Sequence, residues 1–141
     1  IHKNKYIFQS KDPGRFSEAP YFPPKTILGT TLETNRDEGQ EHCGFAPPPR
    51  VRGLGLSHER LDCFQKMVSI EPIMAFDLKI FVSWIQQIKP AFVSIGADSK
   101  GHKLPEPTAA ELDNFVVALR DITEVKLKKN LARLLLERRS E

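Results

Sequence analysis

The chain has 141 residues, 40% hydrophobic and 28% charged, which is enough for one domain with a real core and excludes wholesale disorder. Its net charge of +3 is mild; Lys126, Lys128, Lys129, Arg133, Arg138 and Arg139 gather basic residues near the end, but they read as a solvated helix face before a nucleic-acid patch. There is no apolar run of about 18 residues and no signal-peptide pattern, so neither a membrane span nor secretion is indicated and a cytoplasmic location is expected.

The two cysteines, Cys43 and Cys63, are too few for a disulfide framework and match no zinc or cluster spacing, so no metal site is expected of them. The sequence opens on Ile1 and enters a strand pattern almost at once. The expectation is a single domain over 1–141 that belongs to a longer chain.

Lys5 to Lys11 alternates as a strand, with Tyr6, Phe8 and Ser10 opposite Ile7, Gln9 and Lys11, and Asp12-Pro13-Gly14 stops it. A short helical turn is expected over Arg15 to Ala19, before Pro20, Pro23 and Pro24 forbid a helix. Thr26 to Glu33 returns to a strand, Gly29, Thr31 and Glu33 on one face and the more apolar Leu28, Thr30 and Leu32 on the side expected to meet helices. From Thr34 to about Gly55 periodicity disappears among Asn35, Arg36, Asp37, Gly39, His42, Gly44 and Pro47-Pro48-Pro49, which reads as one long loop, either a lid or plain disorder. Ser57 is expected to cap a helix running to Cys63 or Gln65, with His58 on its surface.

Lys66-Met67-Val68-Ser69-Ile70-Glu71-Pro72 is the strand around which the rest is arranged, Val68 and Ile70 on one face, Ser69 and Glu71 on the other. Asp77 then caps a helix to about Ile88, with Ile80, Phe81, Trp84, Ile85 and Ile88 as its core stripe. Phe92 to Asp98 is the next strand, Val93, Ile95 and Ala97 opposite Ser94, Gly96 and Asp98, and Ser99-Lys100-Gly101-His102 makes a loop. Thr108 and Glu111 form a capping box for a helix that buries Leu112, Phe115, Val116 and Leu119. Thr123 to Lys128 is the last strand, and a terminal helix buries Leu131, Leu134 and Leu135.

Strands separated by helices or long loops rather than hairpin turns lie parallel, so the fold class expected is α/β, with five strands in chain order and an open edge beside the first. Five strands are too few for a closed barrel of about eight, which makes this a partial (β/α) barrel. In such sheets the working groups collect at the carboxyl ends. Those positions are Lys11, Glu33, Glu71, Asp98 and Lys128, near Ser10, Thr31, Ser69, Ser94 and Gly96. A polar interior face needs either mutual ion pairs or a ligand to justify it. The Glu71 carboxylate is expected to point into that face near Lys11, Glu33, Asp98 or Lys128.

Four of these runs, Phe8-Gln9-Ser10-Lys11-Asp12-Pro13, Leu28-Gly29-Thr30-Thr31-Leu32-Glu33-Thr34-Asn35, Val68-Ser69-Ile70-Glu71-Pro72 and Val93-Ser94-Ile95-Gly96-Ala97-Asp98-Ser99, resemble the later strands of a phage- and prokaryote-associated group of radical SAM-like proteins. The resemblance spans nearly the whole chain. It implies the C-terminal portion of a TIM-like barrel that binds S-adenosylmethionine, cleaved reductively to a 5'-deoxyadenosyl radical by a [4Fe-4S] cluster. By that resemblance Ser10, Lys11, Glu33, Asn35, Glu71 and Asp98 are cofactor-binding and Lys128 faces substrate; no catalytic residue is assigned. The cluster-binding Cys-x3-Cys-x2-Cys loop of that superfamily has no counterpart in these residues, so either cluster and partner are expected from a missing N-terminal half of the barrel, or the chain is a stand-alone relative that has lost the chemistry.

Two other classes stay open. One is a non-catalytic α/β module that holds an anionic metabolite or nucleic acid through Lys11, Lys126, Lys128 and the His102 loop. The other is a metal-dependent barrel enzyme using Glu33, Glu71 and Asp98 as oxygen ligands for magnesium or manganese.

Overall fold

A computed structural model describes residues 3–36 and 44–136 of the chain. Five strands, β1 (Tyr6–Gln9), β2 (Thr26–Thr31), β3 (Gln65–Ile70), β4 (Phe92–Ile95) and β5 (Glu124–Leu127), form one sheet in chain order. Every neighbouring pair is parallel. The helices are α1 (Pro49–Leu56), α2 (Leu78–Ile88), α3 (Ala109–Arg120) and the short α4 (Ala132–Leu136), with 3-10 turns at Pro13–Glu18, Glu59–Leu61 and Lys129–Leu131.

Parallel strands in chain order, joined by crossovers of one hand, place their connections on one side of the sheet. The core shows this directly. Leu28, Val68, Ile70, Val93 and Ile95 from one face of the strands are buried in a single cluster with Leu56 of α1, Phe81, Ile85 and Ile88 of α2, and Leu112, Phe115 and Leu119 of α3. Phe81 and Phe115 stack between α2 and α3 with ring centroids 5.0 Å apart. Met67, Ser69 and Ser94, on the other face, are not in that cluster, and we call their side the open face.

α2 runs over the expected span. Its stripe is narrower than the spacing suggests, because Ile80 is 49% exposed while Phe81, Ile85 and Ile88 are buried. Asp77 is its N-cap as expected, its carbonyl accepting from Phe81 N at 2.9 Å, but its carboxylate makes no cap bond and instead accepts from Asn35 Nδ2 (3.1 Å) and the Arg36 guanidinium (3.0 and 3.3 Å). The capping box of Thr108 and Glu111 on α3 is formed as expected.

The stretch between Thr34 and Gly55 is not one loop. Residues 37–43 of it lie outside the described residues, but its far end is helix α1, begun by Pro49 at the first helical position, where a fixed φ and a missing N–H are no handicap. Ser57 is the C-cap of α1, not an N-cap: its N–H donates to Gly53 O at 3.0 Å and its hydroxyl to the same oxygen at 2.8 Å. The helix expected after it is only the turn Glu59–Leu61. Gly53 and Gly55 hide α1 from propensity, and one of them is there for space. A Cβ at Gly55 would lie 2.7 Å from Gly14 N, whereas one at Gly53 would meet nothing nearer than 3.9 Å.

These two glycines of one helix therefore respond oppositely to alanine. Gly53→Ala raises the urea midpoint, gaining roughly 0.5–1 kcal/mol of helix propensity. Gly55→Ala lowers it by roughly 1–3 kcal/mol, because backbone must move. Equal effects of the two in urea denaturation would contradict the packing of α1 on the Pro13–Glu18 turn.

Candidate functional site

The strand register sorts the open face into rows. Thr31, Ser69, Ser94 and Lys126 stand side by side on β2 to β5. One pair further toward the carboxyl ends the ladder continues through Leu32 N to Ser69 O, Gly96 N to Ile70 O and Lys128 N to Ile95 O, at 2.8–3.0 Å. That next row is Glu33, Glu71, Gly96 and Lys128. Two carboxylates on neighbouring strands, about 4.8 Å apart in backbone, repel unless they turn away from each other. They do turn away.

Glu33 leans toward β1. Its Oε1 accepts from Lys11 Nζ at 3.2 Å and its Oε2 from Arg52 Nη1 at 2.9 Å. Arg52, on α1, is completely buried, and also donates to Thr31 O (2.8 Å) and Pro47 O (2.6 Å). Its Nη2 is buried with no hydrogen-bond partner among the described residues. Breaking a buried pair of this kind by removing one partner costs roughly 3–5 kcal/mol, so Arg52 fixes Glu33 firmly on one oxygen. The Lys11 side chain is half exposed, and its share of the interaction is screened.

Glu71 leans the other way, across Gly96, to Lys128 and Asn130. Lys128 Nζ donates to Oε2, and Asn130 Nδ2 to Oε1 at 2.9 Å. A side chain on Gly96 would block this path, since its Cβ would stand 2.5 Å from Glu71 Cδ. Asn130 itself is anchored like a strand residue: its Nδ2 donates to Ala97 O (2.9 Å) and its Oδ1 accepts from Ala97 N (3.1 Å). One row below the carboxylates are the hydroxyls of Ser69 on β3 and Ser94 on β4, the latter in line with the Gly96 that Glu71 crosses; they make no hydrogen bond within the described residues, while Thr31 Oγ1 accepts from Gln9 Nε2 at 3.0 Å. Lys126 lies over the Phe92 ring at 3.9 Å, bounding the face on the β5 side.

The remaining expected site residues are not brought into this row. Asp98 holds the loop after β4, accepting from the N–H groups of Lys100 (3.1 Å) and His102 (2.6 Å) and pairing with His102 Nδ1 (2.8 Å). These bonds, the His102 side chain foremost, hold its carboxyl down to about 2. Asn35 is bonded to Asp77, whose carboxyl is lowered by the Arg36 and Asn35 side chains. The Ser10 hydroxyl accepts from Asp12 N at 2.9 Å and serves the turn after β1. Glu33, Glu71 and Asp98 thus have separate partners, and among the described residues no group of three or more His, Cys, Asp or Glu is gathered that could hold a metal ion. The cations expected to face ligand, Lys11 and Lys128, are the Glu33 and Glu71 partners.

Arg52 and Asn130 were not apparent as site residues. Arg52 sits in a stretch that reads as loop; Asn130 follows the last strand, where an asparagine reads as a turn residue. Comparison with protein families, with curated proteins and with solved structures finds no match for this chain. Among the described residues no helix is long and apolar enough to cross a membrane.

The Asp98 loop carries a pH signature. Its folded carboxyl lies below the ordinary 3.8, so the stabilisation it gives is fully present above that value and is lost as pH falls through about 2. Carboxyl-carbon NMR is expected to place the Asp98 midpoint near 2, with the His102 amide shifting in the same step. A midpoint near 4 with no response of that amide would contradict the bonded loop.

Proposed function

We propose that the open face binds S-adenosylmethionine at the carboxyl ends of the strands, as part of a partial (β/α) barrel of the radical SAM type. What supports the reading is the pair of hydroxyls, Ser69 and Ser94, without hydrogen bonds among the described residues, one row below two acid–base pairs of opposite orientation. S-adenosylmethionine, when bound, brings a carboxylate, an ammonium, a sulfonium and a ribose diol. The donor set suits those groups: Lys128 or Lys11 takes the carboxylate, Glu71 or Glu33 the ammonium, and the serine hydroxyls the diol. Exchange of partners is feasible at Lys128, whose pair with Glu71 is partly exposed on both sides and so worth about 0–1 kcal/mol, whereas Lys11 faces a buried Glu33.

A [4Fe-4S] cluster does not fit the residues present. The chain has two cysteines; Cys63, exposed, lies just before β3 at the amino end of the strands, and Cys43 lies outside the described residues. A cluster would need its thiolate ligands from other residues than these. Further barrel strands would pair along the free edge of β1, where Ile7 is 57% exposed.

The alternative, a module for a purely anionic metabolite or for nucleic acid, uses the same lysines and gains nothing from Glu71. The variant Glu71→Gln separates the two while keeping the side-chain shape and the Asn130 contact. Calorimetry is expected to show S-adenosylmethionine bound about tenfold more weakly by Glu71→Gln, the loss of one charge-assisted hydrogen bond, with the folded state intact. Unchanged affinity would remove the support for this site. Tighter binding of a simple oligonucleotide or polyphosphate by the variant would favour the anion module.

A further inference from the structure

Past β4 the chain runs out along residues 98–106, and between that segment and α4 lies a groove of about 540 Å3. That volume is within the range of small-molecule sites, and its place is the carboxyl side of a parallel sheet, where ligands of such sheets bind. Asp98, Lys103, Glu106 and Arg133 supply its charges. They are unequally spent. Glu106 receives both arms of the Arg133 guanidinium, at 2.8 and 2.5 Å, and Arg133 also donates to Asp98 O at 3.1 Å. Asp98 is occupied by His102 and two backbone N–H groups, and Asn130 by Ala97 and Glu71.

Lys103 and Ser99 are different: neither side chain has a hydrogen bond or ion pair within the described residues. Both acids of the groove are matched, so the functionality left to a visitor is one ammonium and one hydroxyl, beside the apolar wall of Leu104. We propose that this groove is a second ligand site, taking a small molecule through an oxyanion, phosphate or carboxylate, on Lys103 and Ser99. A compact ammonium on a flexible stem binds either group as a point charge. The groove adjoins the S-adenosylmethionine site proposed on Glu71 and the serines of the open face, with Asn130 common to both, but Lys103 and Ser99 belong to the groove alone.

The test uses the full chain, labelled with nitrogen-15, and two probes titrated separately at fixed ionic strength: inorganic phosphate and acetate. Lys103 has φ 55, a conformation that asparagine tolerates, so Lys103→Asn removes the charge without straining the loop. Lys25→Asn makes the same change at φ 61 on the amino side of β2 and serves as the control. Expected are saturable shifts of the amides of Ser99, Gly101, Lys103 and Leu104, with affinity about tenfold lower in Lys103→Asn and unchanged in Lys25→Asn. Saturation by phosphate alone assigns a phosphorylated ligand; saturation by acetate alone, or by both, assigns a carboxylate or a general oxyanion site. The proposal is overturned by the absence of saturable shifts with both ions, by shifts spread over the surface lysines, or by equal affinity in Lys103→Asn. None of these results alters what Glu71→Gln reports.

Discussion

The open face has to satisfy itself. Parallel strands in chain order send every crossover over one side of the sheet, so α1, α2 and α3 share one core and, among the described residues, no helix packs on the other side. Side chains there are sheltered by one another and, at the carboxyl ends, by Arg52 of α1 and by Asn130. Met67 therefore lies over Gly29, where a Cβ would come within 2.4 Å of its sulfur, and Glu71 crosses Gly96 to reach β5. Two glycines opposite two long side chains are the device by which an uncovered sheet face is closed without a helix. The price is a row of charges at the carboxyl ends that must be paired across strands rather than along them.

Those pairs differ in what they permit. Glu33 is gripped by a fully buried guanidinium on one oxygen and by a half-exposed lysine on the other, so only the second can be traded for a ligand. Glu71 is bonded to Lys128, 48% exposed at its side chain, and to Asn130, which is itself committed to the backbone of Ala97. Burial thus sorts the same chemistry into fixed and exchangeable halves. The exchangeable halves, Lys11 and Lys128, flank the strands that carry Ser69 and Ser94, whose hydroxyls have no partner among the described residues. The Nη2 of Arg52, without a partner among the described residues, belongs to the fixed half, on the guanidinium held by Thr31, Glu33 and Pro47.

Much of this could be read from the chain. Period-two alternation assigns each of Leu28, Val68, Ile70, Val93 and Ile95 to the helix side and Thr31, Ser69, Ser94 and Lys126 to the other, because a strand has only two faces. The parallel order follows from the lack of hairpin turns. What was not legible came from local competition. Asp98, Ser10 and Asn35 alternate or cluster as site residues, yet short polar side chains next to a turn bond nearby backbone or a neighbouring side chain first. α1 is hidden because Gly53 and Gly55 lower its propensity, although Gly55 is required by the close approach of Gly14. With α1 went Arg52, the partner that decides how Glu33 behaves.

Hydrogen–deuterium exchange on the chain, with and without saturating S-adenosylmethionine, tests most directly the claim that ligand engages the helix-free side of the sheet at its carboxyl ends. The account predicts slower exchange in peptides covering residues 29–34, 67–72 and 94–98, with α2 and α3 unchanged. Protection confined to the helices, or none at any peptide under conditions where binding is saturated, would contradict it.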